Sequence, residues 1–273
     1  MDRVRCAAPL HVPRPAGPWH GVRDNLAVLG NALVYTTWSE WLPSVLTTPR
    51  LRELLGPDWD RYRRTRDAVV RYRFAASRLL IKYTAAAALA TPPEYLDLAY
   101  RLGGRPYLRG FDQIELSLSH TGDVMAVGLS RTGRIGVDVE PADRFVRLDL
   151  LETQMLTPAE TRELAGLPEK ERAVRTLRLW TLKEAYSKAL GQGLRLGFKE
   201  FGFSPGGRLR APDGRSATRG EWGFATHPVM DRFLLSVACH DTGLNTAGDT
   251  SVETMLDRGF LSAMTRPPDP DPK

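Results

Sequence analysis

The segment Ile135-Gly136-Val137-Asp138-Val139-Glu140 alternates strictly between apolar side chains and small or acidic ones. A period of two specifies a β-strand with Ile135, Val137 and Val139 on one face and Gly136, Asp138 and Glu140 on the other. Two carboxylates so placed project the same way, with Cα atoms about 7 Å apart. Both can reach one hard cation, and Gly136 is expected to leave room for a ligand beside them. Mg²⁺ is commonly held by one or two carboxylates, with water and substrate phosphates completing its shell. Taken alone, the pattern equally describes an edge strand carrying two solvated acids.

The rest of the chain decides between these readings. At 273 residues, 42% hydrophobic and 26% charged, it can bury a real core as one large or two ordinary domains. Cys6 and Cys239 lie at opposite ends and form no metal spacing or disulfide framework, so reduced thiols and a cytoplasmic location are expected. No stretch approaches the ~20 apolar residues of a membrane span, and no long apolar region follows Arg3 and Arg5. The formal charge of +6 makes polyanions the expected partners: nucleic acid, a phosphorylated cofactor or an acidic protein.

Residues 1–20 are Pro-rich and expected to be flexible. Asn25 to Thr37 is apolar and β-branched and reads as a strand region, with Trp38 and Trp41 leading into a turn at Pro43. A long helix is predicted from about Asp60 to Ala90, closed by Thr91-Pro92-Pro93. It carries Arg61, Arg63, Arg64, Arg66, Arg71, Arg73, Arg78 and Lys82 against one internal acid, Asp67. This is either a solvated basic face or, in part, a phosphate clamp. Arg78 lies within the apolar run Phe74 to Leu80, where a charge without a purpose is costly.

Gly103-Gly104-Arg105-Pro106 is a turn bearing one more cation. Gln113 to His120 alternates as a strand, with Ile114, Leu116 and Leu118 opposite Glu115, Ser117 and Ser119, and ends in the polar turn Ser119-His120-Thr121-Gly122. Val124 to Ser130 is a further strand, expected to pair with the Asp138 strand as a hairpin. Thr157-Pro158-Ala159-Glu160 opens a helix. A second long helix runs from about Glu169 to Leu190, stopped by Gly191. On it Trp180, Glu184 and Lys188 share one face at i, i+4, i+8. A Glu and a Lys on a largely buried helix need an ion pair, a metal or a phosphate. Short strands follow at Phe198–Phe203, Gly220–Thr226 and Arg232–Cys239, and then a polar tail with at most a short helix near Val252 to Met264.

The predicted fold is α+β, with two similar α/β halves in a pseudo-twofold arrangement. Each half has a long helix packed on a small, mostly antiparallel sheet. The halves are residues 21–133 and 134–240, with the tail at 241–273. This places the Asp138 strand and the Glu184 helix near the junction, where ligand clefts form.

Three segments together resemble the 4′-phosphopantetheinyl transferases, in particular the larger, surfactin-synthetase-type class. They are Ser117-Leu118-Ser119-His120-Thr121, Ile135 to Glu140, and Leu179-Trp180-Thr181-Leu182-Lys183-Glu184-Ala185-Tyr186-Ser187-Lys188. The resemblance covers about residues 60–240. It implies transfer of the 4′-phosphopantetheine arm of coenzyme A to a serine of an apo acyl or peptidyl carrier protein, releasing 3′,5′-ADP. It further implies that Asp138, Glu140 and Glu184 bind Mg²⁺ and that Glu184 acts as base. Lys188 would reach the pyrophosphate. Arg78, Arg105, Ser119 and His120 would contact coenzyme A, chiefly its 3′-phosphate and adenine end, and Arg73 and Thr121 are counted with them. A monomer is expected, because two fused halves already make the cleft. Two departures stand out. Val139 occupies a position that is polar in some relatives, and arginines (Arg61 to Arg66) replace the lysines some relatives carry at the first helix.

Two other readings compete. A basic nucleic-acid binder would use the cationic helix and stacked aromatics, but the helix has no interleaved aromatic platform beyond Tyr62, Tyr72, Phe74 and Tyr83 and no zinc, RRM or helix-turn-helix signature is evident; neither nucleic acid nor membrane is an expected partner. A non-catalytic carrier or coenzyme A binder would not need the intact Asp138, Glu140, Glu184 and Lys188 set.

Overall fold

The computed structural model describes residues 4–143, 148–218 and 220–241. In chain order its elements are β1 (Pro9–His11), α1 (His20–Leu29), β2 (Asn31–Thr37), α2 (Trp38–Thr47), α3 (Leu51–Leu55), α4 (Trp59–Arg64), α5 (Ala68–Leu89), β3 (Leu98–Tyr100) and β4 (Pro106–Leu108). There follow β5 (Glu115–Thr121), β6 (Val124–Ser130), β7 (Ile135–Pro141), α6 (Leu148–Met155), α7 (Pro158–Ala165) and α8 (Glu169–Leu190). The described chain ends with β8 (Gly202–Phe203), β9 (Leu209–Arg210), β10 (Trp222–Val229) and β11 (Phe233–His240). The mixed α+β class is as predicted. The expected tail beyond Asp241, with its short helix near Val252 to Met264, lies outside the described residues.

Two sheets carry the fold: a four-stranded one in the order β1-β2-β6-β5 and a three-stranded one in the order β10-β11-β7. All their pairings are antiparallel except β1 with β2. The alternation of each strand assigns its faces. Met125, Val127 and Leu129 of β6 join α1, α2 and α5 in one core. Val124 and Ala126 face the second sheet, where they meet Ile135, Val137 and Val139 of β7 and Leu235, Val237 and Cys239 of β11. The outer face of the second sheet carries α8 through Ala185, Ala189 and Ala238. The layers therefore run helices, sheet, sheet, helix, each buried strand face matched to an apolar neighbour.

The predicted hairpin between β6 and β7 does not form. Strand β6 pairs with β2 and β5, and β7 pairs with β11. The turn after Ser130 instead drops the chain into the second layer. There Ile135 and Val137 pack on β6 so closely that a Cβ on Gly128 would lie 2.7 Å from Val137 Cγ1. Two apolar faces are buried this way, where a hairpin would have buried one.

Other local predictions fail for identifiable reasons. The proposed strand from Asn25 begins only at Asn31. Residues 20–29 form α1, ended by Gly30 in the left-handed conformation at φ 70°, a stop that glycine takes without strain. The proposed turn at Pro43 is inside α2, which starts with a capping box between Thr37 and Glu40. The single helix from Asp60 to Ala90 is two. Thr65 leaves helical geometry, and Asp67 starts α5 afresh by accepting the Val70 N–H. Residues 4–20, expected to be flexible, are built into the fold. Ala7 and Val12 are fully buried, β1 pairs with β2, and Ala7 N–H donates to Asn31 Oδ1 at 2.8 Å. The cysteines at opposite ends of the chain also meet. A hydrogen bond from Cys6, and then burial, push the Cys239 thiol well above its ordinary pKa.

Candidate functional site

The site is built where β7 is gripped between β5 and α8. Strand β7 has no ladder partner on its β5 side, so its N–H groups there need acceptors. The i, i+2 serines of β5 supply them. Ser117 Oγ accepts Val137 N–H at 3.0 Å, and Ser119 Oγ accepts Val139 N–H at 3.3 Å. On the opposite side Gly136 permits α8 to touch the strand. A Cβ there would lie 1.9 Å from Ala185 O and 2.4 Å from Ala189 N. The room beside the carboxylates that Gly136 was expected to leave for a ligand is thus taken by helix backbone.

That close approach sets Lys188 against the strand acid. Lys188 Nζ donates to Asp138 Oδ1 at 2.7 Å and to Ser119 Oγ at 3.1 Å, while Ser119 Oγ donates to the same Oδ1 at 3.0 Å. Asp138 is 5% exposed, and its other oxygen, Oδ2, is buried with no hydrogen-bond partner among the described residues. Thr121 Oγ1 reaches Glu140 Oε2 at 3.5 Å. Ser119 and Thr121 therefore serve the carboxylates, although the resemblance implies coenzyme A contacts for both. Glu184 sits one turn before Lys188 on α8, half-buried. Among the described residues, no three His, Cys, Asp or Glu side chains are gathered closely enough to hold a metal ion.

Beside this centre a cleft of about 650 Å³ is lined by Arg78, Arg105, His120 and Lys188, with Tyr100 and the turn at Gly103 and Gly104. Four of the predicted ligand-binding residues thus share one space. Arg78 is held by Asp58, Nε to Oδ2 at 3.3 Å, and its guanidinium lies over Phe74 and Tyr100 at 4.3 and 5.0 Å. Tyr100 Oη donates to the same Asp58 oxygen at 2.5 Å. Arg105 is largely committed to the scaffold. It donates to Lys188 O, Ala189 O and Ile135 O at 2.7, 2.8 and 3.0 Å, and to Glu115 Oε2 at 2.6 Å. It thereby closes the C-terminus of α8, where a cation is favoured. His120 stands at the open rim. Lost hydration, then the charges of Arg73, Lys188 and Arg78, hold its pKa below the ordinary value. Arg73 is within electrostatic reach of the ring but does not line the cleft.

Sequence reasoning missed the supports of these groups. Asp58 and Tyr100, which aim Arg78, carry no local signature. Ser117 is visible as the partner of Ser119 at i, i+2. Lys183 is fully buried and anchors the back of α8, donating to Glu160 Oε2 at 2.8 Å and to the carbonyls of Met155, Phe198 and Phe201. Burial lowers its pKa and Glu160 opposes that shift. Glu160, legible in the sequence only as half of a capping box, also accepts Phe203 N–H at 2.8 Å.

The sequence model of the 4′-phosphopantetheinyl transferase superfamily matches residues 134–238. The chain is 31% identical over 127 residues to the 4′-phosphopantetheinyl transferase HetI of Nostoc sp., a match covering 45% of this chain and 54% of that protein. It is 30% identical over 181 residues to a phosphopantetheinyl transferase of Thraustochytrium sp., covering 60% and 62%. It is 28% identical over 144 residues to the 4′-phosphopantetheinyl transferase psf-1 of Bacillus pumilus, covering 50% and 60%. The chain spans roughly half to three-fifths of the length of these curated relatives. The stretch matched by the family model holds β7, α8, β10 and most of β11, and with them Asp138, Glu140, Glu184 and Lys188. These residues carry the chain's likeness to the 4′-phosphopantetheinyl transferase superfamily, which extends over residues 134–238.

Proposed function

We propose that the protein transfers the 4′-phosphopantetheine arm of coenzyme A to a serine hydroxyl of an apo acyl or peptidyl carrier protein, releasing 3′,5′-ADP. The observation that carries this reading is the convergence of Arg78, His120 and Lys188 on one cleft beside the buried carboxylate of Asp138. Phosphoryl transfer needs positioned charge more than covalent chemistry, and this cleft is lined by cations, one of which, Lys188, is paired with Asp138. The curated relatives bear the transferase name over the matched residues.

In this reading Arg78 and His120 hold the 3′-phosphate and adenine end, with Arg73 adding to the local positive potential. Lys188 reaches the pyrophosphate. Arg105 fixes the end of α8 and lends charge to the cleft floor. Glu184 takes the proton of the carrier serine as the hydroxyl attacks the β-phosphorus, and the bridging oxygen departs with 3′,5′-ADP. The chemistry of three acids suits Mg²⁺, although as they stand they are not drawn together around one point. Asp138 Oδ2 is a buried carboxylate oxygen with no hydrogen-bond partner among the described residues, Glu140 follows on the same strand face, and Glu184 would complete an all-oxygen set. Bound there, Mg²⁺ would neutralise pyrophosphate charge and stabilise the leaving phosphate.

The basic helices favour this assignment over nucleic-acid binding, because their rings are already covered by the protein's own cations. Arg61 lies 4.7 Å over Phe74 and Arg71 lies 5.1 Å over Tyr72. The finer architecture belongs to the same proposal: a cytoplasmic monomer whose halves, 21–133 and 134–240, are related by a pseudo-twofold axis. Two 22-residue helices, α5 and α8, each packed on one of the two sheets, support that arrangement. Calorimetric titration with coenzyme A and with 3′-dephospho-coenzyme A tests the cleft. Tighter binding of coenzyme A, lost in Arg78→Ala, supports the reading. Equal affinity for the two compounds contradicts it.

A further inference from the structure

A carboxylate as buried as Asp138 needs a counter-charge, and the structure supplies one from the opposite element. Lys188 Nζ lies 2.7 Å from Asp138 Oδ1 and also bonds Ser119 Oγ at 3.1 Å. The Lys188 side chain is 29% exposed against 7% for Asp138, and it lines the cleft. Its ammonium is therefore at a boundary: one rotamer pairs with the acid, and rotation about its flexible stem carries it toward whatever occupies the cleft. A divalent cation at Asp138 would meet this ammonium at close range in a site poor in water, where like charges repel strongly.

From this geometry we infer that Lys188 is the counter-ion of Asp138 and competes with a divalent cation for that carboxylate. Lys188 leaves Asp138 when a divalent cation binds, and its ammonium is then available to phosphate in the cleft. The same side chain thus keeps the buried acid neutralised before the metal arrives and serves the anionic substrate afterwards. Ser119 has a defined part in the exchange. Its hydroxyl bonds both partners, so it continues to orient Asp138 after the ammonium departs. The inference rests on the proposed divalent-cation site.

The test uses Mn²⁺ as a spectroscopic probe, without coenzyme A or carrier protein. Free Mn²⁺ is counted by electron paramagnetic resonance during titration of the wild-type chain and of Lys188→Met. Relief of the competition predicts at least about tenfold tighter Mn²⁺ binding in the variant. Thermal unfolding gives a second readout. Lys188→Met should melt below the wild type without metal and gain more from the same excess of Mn²⁺, because a ligand that binds only the folded state stabilises it by an amount that rises with the logarithm of its affinity. Equal or weaker Mn²⁺ binding by Lys188→Met, with equal melting shifts, would overturn the competition while leaving the cation site standing. Absence of Mn²⁺ binding by both proteins would overturn the cation site and the competition with it.

Discussion

Ser119 Oγ lies 3.0 Å from Asp138 Oδ1 and accepts the N–H of Val139, the next residue along the same strand. One hydroxyl therefore joins the two sheets and aims the carboxylate at the centre of the site. Ser119→Ala leaves the Val139 N–H without its acceptor. A buried polar group so abandoned costs about 1–3 kcal/mol. Urea unfolding should show a loss in that range. A loss no larger than that of a surface Ser→Ala control would mean that water or another group takes over the bond.

Gly136 makes the same site possible from the other side. In Gly136→Ala the new methyl would meet Ala185 O at 1.9 Å, a backbone atom that can move only with the helix. Overpacking commonly costs about 1–3 kcal/mol, occasionally more, and the upper end is expected here. The displaced helix should also separate Lys188 from Asp138. Gly166→Ala, whose added methyl would have no atom of the described residues within 4 Å, is the matched control and should unfold near the wild-type midpoint.

How much of this is legible in the chain differs between elements. Strand β7 and helix α8 are readable because their signals are local: strict alternation in the first, and a glycine stop with a near-continuous apolar surface in the second. The cap at Thr157 is readable for the same reason. The capping box at Thr37 and Glu40 has the same T-x-x-E form and is easily overlooked behind Pro43. The partner of β7 is not readable. Its choice of β11 over β6 depends on which apolar faces meet across two layers, and no window of sequence contains that. The site follows the same rule. The spacing of Asp138 and Glu140, and of Glu184 and Lys188, is visible. That Lys188 seats on Asp138, and that Arg105 spends its donors on the end of α8, depends on an approach between elements.

Lys183 tests that back-side scaffold. Its ammonium is the charge partner of Glu160, itself 2% exposed. Lys183→Met removes one member of a buried pair and strands the other, at a cost of about 3–5 kcal/mol. Lys183→Met combined with Glu160→Gln should recover part of that loss. A double variant as unstable as the sum of the single ones would show that the two side chains act independently.

His120 gives the cleft a pH signature. In the free protein, lost hydration and the charges of Arg73, Lys188 and Arg78 hold its pKa below the ordinary value. A bound phosphate offsets those charges and raises it. Binding therefore takes up a proton between the free and bound pKa values, and affinity rises as pH falls through that window, levelling off below the free pKa. Titration with coenzyme A in buffers of different ionisation enthalpy should show this uptake in the wild type and not in His120→Ala. Identical proton uptake in both proteins would place His120 beyond the reach of the anion.

The most direct measurement is the intact mass of an apo acyl carrier protein and an apo peptidyl carrier protein after incubation with this protein, coenzyme A and Mg²⁺. Parallel samples contain EDTA or the Glu184→Ala variant. A mass gain of one phosphopantetheine on the carrier, absent from both controls, is the predicted result. No gain on either carrier, in the presence of coenzyme A that calorimetry shows to be bound, would contradict the assignment of a transferase and leave a protein that holds coenzyme A without cleaving it.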